Sequence, residues 1–552
     1  MRRDDVIPVL GDPLLEVHNV GVLKVSLISP NNLGSYRSAQ IVAENLGVAQ
    51  LSSYADSLGH QVQLIDARLS DYGPEQCADI VNDFQPDVLG LSLISQQAVP
   101  WSNSFLKALV PSSCNVVTIV GGYFPTLQPE AALGLMSRVD AAALGEGEPV
   151  LGELLRRIAD RSPRWQDTPG LCLRSECGSV ARPTRQPVIR DLNVLPRPTR
   201  YAARFMDERF EVLVEGSRGC KLACSFCAIK PFFAAMGRSL WRGRSPENIV
   251  SEMVGIRHAH PQVKKFRFVD ADFIGFEAEG ENRALQLADL LIERLPGIEL
   301  YIEARAQSVI TLPHVFKRLR QAGLREVFVG IESGSQRILN AIRKSLNVSD
   351  IRPAVSILKD LGVSVSFGFM MFTPWTEDVD LHDSLSMLKD LGNVEFDKFF
   401  HELDLIPGTP AFATLDGVID PSPKTGTGYF TYALRGLPAL ARLCGRSLEV
   451  RHRPFLERVW LLYKDIQESL QAAQPGADEL QRRVSQLNIA MFEFCLHSLQ
   501  NAPAHDGQSL ANAVADACVA EFGATVAALS ESIDERYGFP RSRTLRERAL
   551  PH

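Results

Sequence analysis

Three cysteines stand within eight residues, in the run Cys220-Lys221-Leu222-Ala223-Cys224-Ser225-Phe226-Cys227. Thiolates at this spacing share one tight loop and can hold three irons of a [4Fe–4S] cube. The fourth iron then lacks a cysteine and stays open to a substrate or cofactor. Electron-transfer clusters usually have four cysteines, so a loop with three points to chemistry at the cluster itself. The competing use of such thiols is a zinc site. Zinc sites usually close with a fourth Cys or His at a paired spacing. No Cys-x2-Cys or His-x3-His partner for the run lies nearby.

The elements around the run suit a reactive loop. Residues Phe210–Glu215 read as a strand, and Gly216-Ser217-Arg218-Gly219 as the turn that launches the loop. This arrangement resembles the cluster motif of the radical S-adenosylmethionine (SAM) superfamily. Strand-helix repeats continue downstream. The strand candidates are Glu211–Glu215, Lys265–Val269, Glu299–Glu303, Glu326–Ile331, Val363–Met370 and Lys398–Leu405. Six strands with intervening helices fit a partial (β/α)6 barrel, whose functional side chains gather at the C-terminal strand ends. Ser245 and Pro246 read as the cap and first turn of a helix.

The resemblance implies roles for residues at those ends. Asp270 and Asp272 would hold the SAM amino group, and Glu303 and Arg305 would meet its methionine carboxylate or a substrate. Glu332 and Ser333 would bond the ribose hydroxyls or the amine. The loop Pro407-Gly408-Thr409-Pro410 resembles one frequent in this branch, and His401 ahead of it is a candidate substrate contact or proton carrier. Phe372-Thr373-Pro374-Trp375-Thr376-Glu377 departs from the family's glycine-rich run, with Trp375 in place of a glycine.

Upstream, short apolar runs alternate with helical patterns. The runs are Val22–Ile28, Val62–Ile65, Val88–Ile94, Val116–Val120 and Ala141–Leu144; Ser38–Leu58 and Pro129–Met136 read as helices. Such alternation predicts a parallel sheet covered on both faces, with ligands beyond the C-terminal strand ends. No Gly-x-Gly-x-x-Gly fingerprint of a dinucleotide site is present. A doubly wound, flavodoxin- or Rossmann-like domain directly ahead of such a loop resembles the cobalamin (B12)-binding domain of cobalamin-dependent radical SAM enzymes of the methyltransferase type. On that resemblance Gly121 and Gly122 let the backbone approach the nucleotide tail of the corrin, and Ser92 faces it. The Asp-x-His-x-x-Gly motif of other cobalamin proteins is replaced here by Asp66-Ala67-Arg68-Leu69-Ser70-Asp71. Guanidinium is not a usable metal ligand at neutral pH, so the resemblance implies cobalamin without a histidine below the cobalt and with Arg68 near the lower face.

The whole chain is consistent with that reading. Its 552 residues suggest about three to four domains. The sequence divides into a cobalamin-binding domain at 20–160, a proline-bearing linker at 161–205 and a partial barrel at 206–415. A helical C-terminal cap at 430–535 and a basic tail at 536–552 follow. With 45% hydrophobic and 22% charged residues the composition is that of a globular protein. A net charge of −7 argues against a general nucleic-acid binder. No uninterrupted apolar run reaches the ~18 residues of a membrane span, and the first residues do not form a secretory signal. Ten cysteines in such a length do not make a disulfide scaffold, so a reduced, cytoplasmic setting is expected. The seven cysteines outside the run are scattered in sequence and read as buried, inert thiols.

The resemblance, over residues 20–410, implies a methyltransferase using a [4Fe–4S] cluster, SAM and cobalamin. Methyl would pass from SAM through methylcobalamin to an unactivated carbon or phosphorus of a small molecule or peptide of specialised metabolism. A flavodoxin or ferredoxin would be the electron donor. Three other readings remain open at this stage. They are a non-radical C-methyltransferase acting on an electron-rich aromatic such as tryptophan, a radical rearrangement or cyclisation enzyme, and a non-catalytic Fe–S or zinc redox sensor.

Overall fold

The computed structural model describes residues 21–31, 43–110, 116–162, 164–174, 180–181, 188–202, 206, 210–233, 241–392, 394–415, 419–423, 430–471, 474–501 and 506–537. Several expectations lie outside the described residues: the helix start at Ser38, two of the scattered cysteines (Cys114 and Cys177), the linker prolines Pro163, Pro183 and Pro187, and the basic tail beyond residue 537.

The first sheet has seven strands: β1 (Lys24–Ser29), β2 (Gln61–Asp66), β3 (Val88–Ser92), β4 (Val117–Gly121), β5 (Ala141–Ala143), β6 (Leu171–Arg174) and β7 (Val180–Ala181). Their order is β2-β1-β3-β4-β5-β6-β7. The five leading strands are parallel, and β1, β3, β4 and β5 are buried along most of their length, whereas β2 at the sheet edge is buried only at its C-terminal end. Chain order reverses between β1 and β3, which makes a switch point there. Register puts Ser29 beside Asp66 and Ser92 beside Gly121, so four polar or small residues share one edge. The sequence reading took 161–205 as linker. The structure instead adds β6 and β7 to this sheet as antiparallel strands. Leu171 and Cys172 are apolar enough to be buried there, so the pairing is stabilised by the core.

The second sheet is purely parallel and runs β12-β11-β10-β9-β8, from β8 (Glu211–Val214), β9 (Lys265–Phe268), β10 (Glu299–Ala304), β11 (Leu324–Glu332) and β12 (Ser364–Phe369). Helices Pro246–Ala259, Glu277–Arg294, Pro313–Gln321 and Val348–Asp360 follow successive strands. Ser245 accepts a hydrogen bond from Asn248 N and Pro246 opens the helix, as expected from the sequence. The sixth strand, expected over Lys398–Leu405, is a correction. Residues Phe396–Phe399 form a 3-10 turn, and only a bridge between Phe372 and Glu402 continues the sheet. Phe396, Phe399, Leu403 and Leu405 are all buried, so these side chains pack inward without an extended ladder.

The C-terminal helices Gly436–Arg451, Arg453–Gln471, Ala477–Asn501 and Gly507–Tyr537 bury their apolar stripes in the same core as the barrel. Phe492 stacks on Phe399 at 4.5 Å, and Asn488 and Ser485 bond the backbone of Val394. A two-stranded ribbon, Ile419–Pro423 with Phe430–Tyr432, joins barrel to cap. Gly507–Ile533 is long and apolar enough to cross a membrane by length and composition, although no single apolar run stands out in the sequence. Its Ala511, Ala515 and Cys518 are buried against the other helices. Three of the cysteines that are scattered in sequence meet in this cap. The Cys495 thiol bonds both Cys444 and Cys518, and these contacts together with burial push it far up. All three are buried and free.

Candidate active site

The C-terminal edge of the first sheet opens on a cavity of about 320 Å³. Ser92, Gly121 and Gly122 line it on the sheet side. Gly122 has φ +104°, and a Cβ there would come within 2.6 Å of the Leu93 carbonyl oxygen. Glycine is therefore required by both conformation and space. Leu27, Val48 and Leu51 give the lining apolar surface, while Asn45 and Glu148 add polar atoms to it. This chemistry fits the nucleotide tail of cobalamin, a flat heteroaromatic group on a polar sugar-phosphate. Asp66 is turned elsewhere: it accepts from Leu69 N at 3.0 Å and from the Tyr201 hydroxyl at 2.6 Å. It thereby ties the edge to the segment entering the barrel. Arg68 lies in the turn that follows β2 and is part-buried.

Facing this edge is the cysteine loop. The ribbon of Ser217–Arg218 with Arg242–Gly243 fixes its start. Two hydrogen bonds at Ser225 hold its middle, from Ser225 N to Ile342 O and from Ala411 N to Ser225 O, each 2.8 Å. Ala411 stands directly after the Pro407-Gly408-Thr409-Pro410 loop, and Thr409 caps the short helix there. Cys224 is buried while Cys220 and Cys227 are part-exposed. Burial raises all three thiols, Cys224 to about 11, and the Lys344 ammonium opposes that rise at Cys224 and Cys227. Three thiols on one loop with a cation beside two of them suit an iron–sulfur cluster by residue type and spacing, since metal binding takes them as thiolates.

The strand ends above the loop divide into two groups. Asp270 is wholly buried; its oxygens accept from Gly216 N and from the Ser217 hydroxyl, both at 2.7 Å. Burial raises its carboxyl to about 6, with Arg283 opposing. Asp272 is also wholly buried, paired at 3.0 Å with Arg305. Ser333 is buried between Ser384 and Ser335 N. These residues fix backbone, and their closed surroundings do not match the direct SAM contact expected for the two aspartates and the serine.

The second group opens toward the loop. Glu303 reaches solvent at the barrel mouth yet is enclosed by protein on its other sides, and desolvation raises its carboxyl to about 7. Glu332 occupies φ +70°, at an irregular step in the pairing of β11 with β12. That strained conformation, which costs of order 1–3 kcal/mol, turns its carboxylate to Lys344 at 2.7 Å. The backbone carbonyl of His401 accepts from Phe372 N at 3.1 Å. Trp375 packs against the core, and its carbonyl accepts from Arg337.

Four residues receive no role from the sequence, although Tyr123 stands among the distinctive residues at a strand end. Lys344 lies twelve residues past Glu332, outside any strand end. Tyr123 follows the paired glycines and packs at a tilt against Phe232, ring centroids 4.5 Å apart, just beyond the cysteine run. Burial raises the Tyr123 hydroxyl to about 12. Phe232 and Phe233 line the same cavity as Ser92. The aromatic pair directly after a metal loop was the available signal.

Comparisons with known proteins agree with this geometry. The B12 binding domain family matches residues 37–155 and the Radical SAM superfamily matches residues 214–388. An uncharacterized methyltransferase of Pyrococcus horikoshii is 26% identical over 385 residues, 68% of this chain and 80% of its own length. A cytidylyl-2-hydroxyethylphosphonate methyltransferase of Streptomyces wedmorensis is 24% identical over 404 residues, 64% of this chain and 73% of its own. Among solved structures, the cobalamin-dependent SAM radical enzyme OxsB, with aqua-cobalamin and SAM bound, superposes with a TM-score of 0.74 at 17% identity. It covers 96% of this chain and 83% of its own. The radical SAM methyltransferase TsrM of Kitasatospora setae gives a TM-score of 0.58 at 18% identity over 72% of this chain and 77% of its own. The chain thus carries a B12 binding domain followed by a Radical SAM domain and shares the fold of these solved structures, and it belongs to the radical SAM enzymes that carry a B12 binding domain.

Proposed function

We propose that this enzyme moves a methyl group from SAM, by way of cobalamin, to an unactivated carbon or phosphorus of a small molecule. The observation that carries the reading is the shared cavity. Its walls come from the edge of the first sheet, through Ser92, Gly121 and Gly122, and from the flanks of the cysteine loop, through Arg218, Phe232 and Phe233. When bound, cluster, SAM and cobalamin supply methyl donation and hydrogen abstraction. The chain's contribution is placement. Cys220, Cys224 and Cys227 would hold the cluster. The methionine end of SAM carries an ammonium and a carboxylate, which Glu303, Glu332 and Lys344 complement. Arg305, steadied by Asp272, would stand beside that end. His401 and Trp375 remain candidates for the acceptor's surroundings. Arg68 is proposed to approach the corrin's lower face.

Relatives that include a phosphonate methyltransferase support a small-molecule acceptor. The described cysteines are free, which suits a reducing cytoplasm, and the proposed chemistry calls for an electron donor such as a flavodoxin or ferredoxin. The test is a product assay. Protein reconstituted anaerobically with iron, sulfide and cobalamin receives SAM and a strong reductant. Both S-adenosylhomocysteine and 5′-deoxyadenosine are expected. S-adenosylhomocysteine alone would replace this reading with polar methylation of an electron-rich aromatic, and 5′-deoxyadenosine alone with rearrangement or cyclisation.

A further inference from the structure

The residues on either side of the cysteine run both reach into the cofactor cavity. Arg218, two residues ahead of Cys220, lines it, and so do Phe232 and Phe233 after Cys227. Arg218 also crosses to the first domain. Its guanidinium bonds Glu146 at 2.8 Å, Glu148 at 2.6 Å and, within its own segment, Glu215 at 2.9 Å. Glu146 and Glu148 start the helix Gly147–Ala159 behind β5, from the run Gly145-Glu146-Gly147-Glu148. Arg242, on the ribbon that fixes the loop, pairs with Glu146 as well and lies over the Phe233 ring at 5.4 Å. Arg218, Glu146 and Glu148 are each at most 10% exposed. Buried charges of this kind hold only while every partner is in place. On the far side of the loop, Tyr123 of the first domain packs at a tilt against Phe232.

The cysteine loop is thus clamped to the cavity at both of its flanks. A cluster bound by its three thiols would fix the loop, and with it Arg218, Phe232 and Phe233 in the cavity wall. A cofactor filling the cavity would in turn fix those residues and hold the loop in its cluster-binding shape. We propose that Arg218, with Glu146 and Glu148, is the positioning element that couples the two cofactor sites, so that a bound cluster tightens cobalamin binding and bound cobalamin tightens binding of the cluster. The coupling rests on the reading of the cavity as the cobalamin site. Linkage makes the two effects equal in free energy.

The test measures binding, with no turnover. Hydroxocobalamin is titrated by absorbance into anaerobically reconstituted protein and into the same protein stripped of iron by a chelator. The wild type is expected to bind it about tenfold more tightly with the cluster than without. R218Q with a full iron complement should reduce that ratio to below about threefold, and R218K should restore part of it. If R218Q does not fold, E148Q takes its place, since Arg218 keeps Glu146 and Glu215 as partners. Equal wild-type affinity in the two states overturns the coupling while leaving cobalamin binding intact. So does a wild-type ratio retained in R218Q. No binding by wild type in either state overturns the coupling together with the cobalamin reading.

Discussion

Asp270 shows how a residue can serve a reactive site without touching a ligand. Its carboxylate is sealed inside the barrel and receives Gly216 N and the Ser217 hydroxyl, so it sets the launch angle of the cysteine loop. That burial has a consequence for stability. The folded carboxyl titrates at about 6, above its ordinary 3.8, so the folded protein binds the proton more tightly than the unfolded chain. Stability from this group therefore grows as pH falls from above 6 toward 3.8, and is lost as pH rises through 6. Between pH 7.5 and 5 the wild type should gain about 1 kcal/mol over Asp270→Asn. Denaturant unfolding of both proteins at the two pH values measures the difference, and a constant gap would contradict the burial argument. Glu332 and Lys344 teach a related lesson. The acid was legible because it ends a strand, whereas its cation arrives from a turn beyond the next helix, and spacing alone gave no reason to single it out.

At the scale of elements, register aligns the working edge. Pairing of Ser92 with Gly121 and of Ser29 with Asp66 places the ends of four strands in one row. The turn after β4 then has to pass under Leu93, and only glycine fits at 122. Gly122→Ala meets both an unfavourable φ and a backbone oxygen. It should cost about 2 kcal/mol or more and weaken retention of added cobalamin. Thermal melting with and without hydroxocobalamin tests this, and an unchanged melting temperature would mean that the turn can relax. The parallel strands were readable from apolar runs because burial on both faces leaves little room for polar residues. The expected sixth strand was not readable correctly. Phe399, Leu403 and Leu405 fall on alternate positions as in a strand, but their burial is met by packing in the barrel core and, for Phe399, on Phe492.

At the scale of the molecule, buried ion pairs join the units. Arg200, in the segment entering the barrel, bridges Glu44 of the first domain at 3.2 Å and Glu252 of a barrel helix at 2.6 Å. Both acids are almost wholly enclosed, and Glu252 also receives Arg244 at 2.6 Å. Arg200→Ala would strand Glu44 as a buried charge. It should destabilise the junction by about 3–5 kcal/mol and separate the unfolding of the first domain from that of the barrel. Calorimetry should show the two transitions further apart than in the wild type, and a single undivided shift would place the junction's strength elsewhere.

The sequence by itself determined the local chemistry. A three-cysteine run after a strand, paired glycines at another strand end, and the alternation of apolar runs with helices each depend on residues close together in the chain. Spacing and periodicity dictate such features before any packing occurs. Only the tertiary structure decided which distant residues meet. Glu146 and Glu148 reach Arg218, and Cys495 gathers Cys444 and Cys518. Asp270 and Asp272 turned out to be sealed supports, while Lys344 entered the site unannounced. Such pairings are set by how surfaces of helices and sheets fit against one another, and no local pattern in the sequence encodes that fit.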